Sequence, residues 1–202
     1  MDQTTNVIFE IIIVDNNSTK DNSVEILSNI PNIVFIKSNY NLGFGNANNL
    51  GFKHSKGKYI FLLNSDTVLL NNAVKIFFDR MEKSSKNIAC LGAILKDEDL
   101  NIVHSYGSFP SIKSCLKSSY LLYLHYLTNK KNNQPELTIP ENDFEVDYIM
   151  GADIFIKRET IRKFNLFDPD FFMYYEETEM QFRFKKNGLR SIIIHGLMEQ
   201  IV

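Results

Sequence analysis

The carboxylates of this 202-residue chain gather at a few marked places, and each place suggests its own chemistry. Lys58 to Leu70 reads KYIFLLNSDTVLL, an apolar run that stops at Asn64, Ser65 and Asp66. A carboxylate at the end of a buried strand can ligate Mg2+ or Mn2+, hard cations that use one or two protein carboxylates and take other ligands from phosphate. It can equally cap the turn toward a helix starting near Asn71. Taken alone, the stretch favours the cap. Asp15 opens DNNSTKDNS directly after a β-branched run. It could accept a hydrogen bond from the imide N–H of uracil or thymine while its neighbours hold ribose or phosphate. An Asx-rich turn between strand and helix would read the same way. YYEETEM places Glu176, Glu177 and Glu179 at the start of a helix. Three acids there either complement the helix dipole or include a general base. Adjacent helical residues point about 100° apart, so at most one of Glu176 and Glu177 is the base. Glu179 could orient a neighbour or bind Arg183 four residues on.

Other chemistry is excluded by spacing. NLGFGNANNLG has Gly43 and Gly45 but Asn48 where a dinucleotide fingerprint needs its third glycine, and no acid ends the next strand. Its glycines serve tight turning and helix packing, with Asn46 and Asn49 facing either solvent or a nucleotide. His54, His104, His125 and His195 lack metal-ligand spacing and read as structural or exposed. Cys90 and Cys115 lie far apart without CxxC spacing, which fits a reduced compartment with no disulfide or metal framework.

The elements that must position these residues follow from the apolar pattern. VIFEIIIVD, IVFIKS, KYIFLLN and IACLGAIL are near-continuous apolar runs, the pattern of strands buried on both faces of a parallel sheet. Helical segments lie between them, capped by Ser18 or Asp21 and by Asn71 or Asn72, with Gly57 as a stop. Alternating strands and helices predict an open α/β sheet, whose ligands bind beyond the carboxyl ends of the strands. Asp15 and Asp66 both sit at such ends. From Tyr106 to Phe144 the pattern breaks, apart from one apolar helix face at Leu116, Tyr120, Tyr123, Leu124 and Leu127. That face either packs on the domain or meets a membrane-proximal substrate. After Phe144, VDYIMGADIFIKRETIRKF reads as strand then helix, a second helix stops at Gly188, and RSIIIH is a short strand. With 44% hydrophobic residues the chain can bury one core, and a net charge of −2 gives no reason to expect nucleic acid. No signal peptide opens it and no apolar run reaches the roughly 18 residues of a membrane span, so a cytoplasmic location is expected.

The ordered set EIIIVDNNSTKDNS, NYNLGFGNANNLGFKHSKGKYIFLLNSDT, VDYIMGADIFIKRETI and FDPDFFMYYEETEMQFRFKKNG resembles family 2 glycosyltransferases, in particular the bacterial rhamnosyltransferase-like branch. The resemblance runs from Glu10 to Gly188. It implies a GT-A fold, a Rossmann-like open α/β sheet with helices on both faces. The implied reaction is an inverting transfer from dTDP-rhamnose or a UDP-sugar to a saccharide or lipid-linked acceptor in surface polysaccharide synthesis. It also implies a divalent Mg2+ or Mn2+ and an inner-membrane-face setting. Asp15 matches the acid that contacts the base, with Asn17, Asn41, Gly43 and Asn46 around the nucleotide sugar. Asn64, Ser65 and Asp66 match the DxD-type motif, with Asp66 as the metal ligand. Gly151, Ala152 and Asp153 match the segment lining the sugar and acceptor pocket. Glu176 and Glu177 match the Glu-Asp pair, with Glu177 as base. One domain over residues 1–202 is expected: a nucleotide-binding half at 1–105, a variable insertion at 106–145 and an acceptor and catalytic half at 146–202.

Three departures are visible. Asn64 replaces the first acid of DxD, and Glu177 stands where Asp is usual. The third is length: the family's first strand has no counterpart before Glu10, and His195 comes too early for the family's metal-binding His. The resemblance is therefore to a member shortened at both ends. A sheet lacking that strand would keep a gap or an open edge, which an oligomer could cover. The alternative is a non-catalytic module of the same fold that binds nucleotide weakly or pairs with other proteins. A nucleotidyltransferase would want a basic glycine-rich loop near the N-terminus, and none is present.

Overall fold

The computed structural model describes residues 4–19, 22–113, 116 and 140–201. The helix face predicted at Leu116 to Leu127 lies, apart from Leu116, outside the described residues.

The first half begins with β1 (Ile11–Asp15), α1 (Ser23–Ser28), β2 (Ile33–Lys37) and α2 (Gly43–His54). It continues through β3 (Tyr59–Leu63), β4 (Thr67–Leu69), α3 (Ala73–Lys83) and β5 (Ile88–Lys96). The second half contains β6 (Tyr106–Gly107), β7 (Phe144–Val146), β8 (Tyr148–Ile149) and β9 (Asp153–Lys157). Helices α4 (Arg158–Phe164) and α5 (Glu176–Lys186) and the strand β10 (Arg190–Ile201) follow.

The main sheet has the order β3-β9-β5-β10-β4, with β7 also paired to β10. It is mixed rather than parallel. β9 runs antiparallel to both β3 and β5, whereas β5 and β10 are parallel. Of the four apolar runs only that of β5 is buried on both faces, and burial is blind to direction: the antiparallel β9 is likewise buried at all five residues. Side-chain alternation then divides the core into two layers. Ile154 and Ile156 of β9 join Ile94, Met180 and Phe184 under α4 and α5. Phe155 faces the opposite layer under α3, where it stacks on Phe77 with ring centroids 5.4 Å apart.

β1 and β2 form a separate parallel pair with no ladder to β3, so the expected discontinuity beside the Glu10–Asp15 run is present. The apolar residues Ile11 to Val14 are only half-buried, and Asp15 is the buried residue of the strand. The pair is tied to the main sheet by Glu10, whose Oε1 accepts from the N–H groups of Lys56 (2.5 Å) and Gly57 (2.8 Å) just before β3.

Several boundaries differ from expectation. α1 is preceded by Asn22 rather than Ser18 or Asp21, and α2 ends at His54, before Gly57. The final strand is long, because Gly196 adopts φ +78° and lets the chain continue through an irregular register to Ile201. Gly188, at φ +76°, does end α5.

Candidate active site

Asp15 ends β1 with its carboxylate sealed from solvent. Oδ1 accepts from the N–H of Ser18, three residues on, at 3.0 Å, while Oδ2 has no partner among the described residues. That lone pair is buried and unsatisfied by the described residues. Asn17 holds φ +67°, which keeps the turn tight. The next loop is locked to it by Asn16, a residue that sequence reasoning passed over. Asn16 Oδ1 accepts from Leu42 N–H (2.7 Å), and Asn16 Nδ2 donates to Asn41 Oδ1 (2.9 Å) and Gly43 O (3.2 Å). Asn41 Oδ1 also accepts from Gly43 N–H at 2.9 Å, so this oxygen shapes the loop. The only hint in the sequence was the run of Asn residues itself.

Gly43 starts α2 at φ +77°, and a Cβ there would collide with the carbonyl oxygen of Phe172. Phe44 N–H donates to that same oxygen at 3.1 Å. The first turn of α2 is thereby pinned to the loop before α5. Asn46 and Asn49 reach this loop: Asn46 Nδ2 donates to Pro169 O (3.1 Å), and Asn49 Nδ2 donates to Phe167 O (2.8 Å).

Asn64, Ser65 and Asp66 form a tight turn between β3 and β4. Asn64 N–H donates to Ala152 O (3.0 Å), and Thr67 N–H donates back to Asn64 O (3.2 Å). β4 intervenes before α3, so Asp66 caps no helix. Its side chain is exposed and makes no hydrogen bond or ion pair with another described residue. A free, hard carboxylate at a turn corner fits a divalent cation that draws most of its ligands from a diphosphate. No group of three or more His, Cys, Asp and Glu side chains is set to hold a metal among the described residues. Asp66 has the chemistry to hold such an ion.

Gly151 packs against the Phe44 ring, bringing the Gly151–Ala152 segment to α2. Asp153 does not line a pocket with them. It is fully buried, and its Oδ2 accepts from Ala93 N–H at 2.5 Å, because β9 begins there and leaves that donor of β5 to be satisfied by a side chain.

α5 delivers the acids. Tyr174 and Tyr175 precede it at φ +71° and +68°, a left-handed pair that costs non-glycine residues about 1–2 kcal/mol each. Strain of this kind persists only where the surroundings enforce it. Glu176 turns inward at 3% exposure, with its Oε2 unpartnered, while Glu177 stays half-buried. The two diverge as helical geometry requires. Burial holds the Glu177 carboxyl above the usual carboxylate range, with a smaller push from Glu176. Burial raises Tyr148 as well, helped by the charges of Glu177 and Tyr175, which places both near Tyr148. Glu179 pairs with Arg183: Nε reaches Oε1 at 3.0 Å and Nη2 reaches Oε2 at 2.7 Å. Arg183 also donates to the carbonyls of Phe164 and Leu166, fixing the end of α4 against α5.

Among solved structures, a crystal structure of GalNAc-T7 with UDP, GalNAc and Mn2+ superposes with a TM-score of 0.67 at 13% identity, covering 95% of this chain and 37% of that one. The structure of TarS from S. aureus gives 0.63 at 15% identity, covering 96% and 31%. At these identities the likeness fixes the fold, which is GT-A. Among curated proteins, Rhamnosyltransferase WbbL of Escherichia coli strain K12 is 26% identical over 157 residues, covering 73% of this chain and 56% of its own length. The UDP-Glc:alpha-D-GlcNAc-diphosphoundecaprenol beta-1,3-glucosyltransferase WfaP of Escherichia coli is 31% identical over 172 residues, covering 79% and 63%. The chain therefore spans roughly three-fifths of the curated relatives it matches. The model of Glycosyl transferase family 2 matches residues 1–142, and the chain belongs to that family.

Proposed function

We propose that the chain forms the donor-binding and catalytic body of an inverting glycosyltransferase. It would move a sugar from dTDP-rhamnose or a UDP-sugar to a saccharide or lipid-linked acceptor in surface polysaccharide synthesis. The observation that carries this reading is Glu177: a half-buried carboxyl whose pKa burial raises, in the first turn of α5, whose preceding loop is pinned through Phe172 and Phe44 to the turn that holds Asp15. A base works best when its pKa approaches the working pH. Glu177 removes the proton of an acceptor hydroxyl as that oxygen attacks the anomeric carbon from the face opposite the diphosphate. The bond to the diphosphate breaks with its electron pair. Asp15 Oδ2 accepts from the base imide N–H, and Gly151 and Ala152 border the sugar. A divalent ion held at Asp66 would neutralise charge on the departing diphosphate.

The name of WfaP supports a UDP-sugar donor and a diphosphate-lipid acceptor, and that of WbbL supports transfer of a rhamnosyl group. Such an acceptor would place the protein at the inner face of the membrane. No helix among the described residues is long and apolar enough to cross one.

The test is thermal stability with UDP and dTDP, with and without Mn2+, followed by sugar transfer to a lipid-diphosphate saccharide. Nucleotide stabilisation that Mn2+ enhances is expected, and no response to either nucleotide would overturn the reading. One observation favours a second reading, a non-catalytic module: β1 and β2 are unpaired with β3 and poorly covered. Under that reading nucleotide binds, transfer is absent, and a homo-oligomer covers the open edge, which sedimentation would detect.

A further inference from the structure

The main sheet hides two carboxylates that the proposed reaction leaves unused. Asp153 opens β9 and Glu199 lies near the end of β10, and both are fully buried. They meet across β5. Asp153 Oδ2 accepts from Ala93 N–H, while Glu199 stands opposite Leu95 on one side and Leu69 of β4 on the other. Ala93 and Leu95 are two residues apart on one strand, so they share a face. A third polar group joins them. The run from Ile102 returns antiparallel along β5: Lys96 bridges Ile102, and Val103 N–H donates to Leu95 O at 3.0 Å. That register, extended by two residues, would bring Ser105 alongside Ala93, and Ser105 is fully buried with its carbonyl accepting from Met150 N–H.

Asp153 Oδ1, both Glu199 carboxyl oxygens and Ser105 Oγ are sealed from solvent and have no hydrogen-bond partner among the described residues. Interiors rarely leave such groups unmet, and an unmet group points to a bound water or ion. Asp153 feels burial, the Glu199 charge and the Ala93 N–H, and Glu199 feels burial; among the described residues no Lys, Arg or His pairs with either acid. These are buried hard oxygens that the described residues leave unsatisfied.

We propose that Asp153, Glu199 and Ser105 bind one hard divalent cation, of the Ca2+ and Mg2+ type, inside the sheet and apart from Asp66. Two carboxylates balance its charge, and main-chain carbonyls and water complete its oxygen shell. The ion ties the start of β9 to the end of β10 across β5. Ala152, the residue before Asp153, accepts from Asn64 N–H, so the ion also steadies the turn that presents Asp66. This site does not depend on the glycosyltransferase reading.

The experiment uses the Asp66→Asn chain, stripped with EDTA and free of nucleotide, so that Asp66 contributes no metal binding. Titration with Ca2+, Mg2+ and Mn2+ should raise the Tm by about 5–10 °C once one of them reaches 100-fold over its Kd. Elemental analysis after dialysis should give one ion per chain. Glu199→Gln and Asp153→Asn should each abolish both results, and Ser105→Ala should weaken them. A Tm unmoved by all three cations, or no retained metal, overturns the site. So does a Glu199→Gln protein that keeps the full shift. Should the acid variants fail to fold, the metal content of the Asp66→Asn protein and the Ser105→Ala titration decide the matter alone.

Discussion

The N–H of Phe44 donates to the carbonyl oxygen of Phe172 at 3.1 Å, and this bond joins the two ends of the candidate site. Upstream, Asn16 fastens the start of α2 to the turn holding Asp15. Downstream, the Phe172 loop becomes the strained entry to Glu176 and Glu177. Gly43 makes the contact feasible, because its missing Cβ and its φ of +77° let Phe172 O approach.

Gly43→Ala should therefore break the joint. A left-handed alanine costs about 1–2 kcal/mol and loss of the hydrogen bond about 1 more, so a stability loss of about 2–3 kcal/mol is expected in urea unfolding. Transfer should fall with it. Unchanged stability would mean that the loop is held by other contacts.

Glu177→Gln should lower transfer by about 10²-fold or more while leaving nucleotide-induced stabilisation intact. In the wild type, burial raises this carboxyl from an ordinary value of 4.5. The basic form then accumulates only above the raised value, so the acid limb of the kcat profile should lie above that of an exposed glutamate. A limb at the ordinary position would remove Glu177 from the base role.

Asp66→Asn should abolish the part of nucleotide stabilisation that depends on Mn2+ and keep the metal-independent part supplied around Asp15. Paired thermal scans with and without Mn2+ read this directly. An unaltered Mn2+ effect would place the ion elsewhere.

Stability should fall as pH rises in chelated protein. Burial pushes Glu199 from 4.5 up to about 8 and holds Asp153 well above its ordinary range. The folded chain keeps protons that the unfolded chain releases, so the contribution is whole below about pH 4.5 and fades up to about 8. Saturating divalent cation should flatten that decline. Urea midpoints across pH, in EDTA and in Ca2+, make the measurement.

Phe77→Ala should cost about 3–5 kcal/mol, since Phe77 is fully buried and stacks on Phe155 in the layer under α3. A loss below 1 kcal/mol in urea unfolding would mean that α3 closes over the vacated space.

Legibility in the sequence tracked how local each feature is. Asp15 and Asp66 could be placed because apolar runs stop at them, and a stop is visible residue by residue. Glu179 with Arg183 could be foreseen from helical spacing alone. The direction of β9 could not, since a buried strand carries the same residues either way. Asp153 was placed in the sugar and acceptor pocket by resemblance alone, and its bond to the Ala93 N–H, 60 residues away, is a pairing no local pattern encodes. The tail of β10 was hidden because Gly196, Glu199 and Gln200 interrupt its apolar run. Asn46 and Asn49 bind a loop more than a hundred residues distant, a partnership that no local pattern encodes.

β1 and β2 share a ladder with each other and with no other strand, and their apolar side chains are thinly covered. Such a flap has its own small free energy of opening, so its amides should exchange with solvent while those of β5 remain locked. Asp15 rides on that flap. The nucleotide base would then be gripped by the part of the molecule that yields first, and donor binding should slow exchange most across Ile11–Asp15.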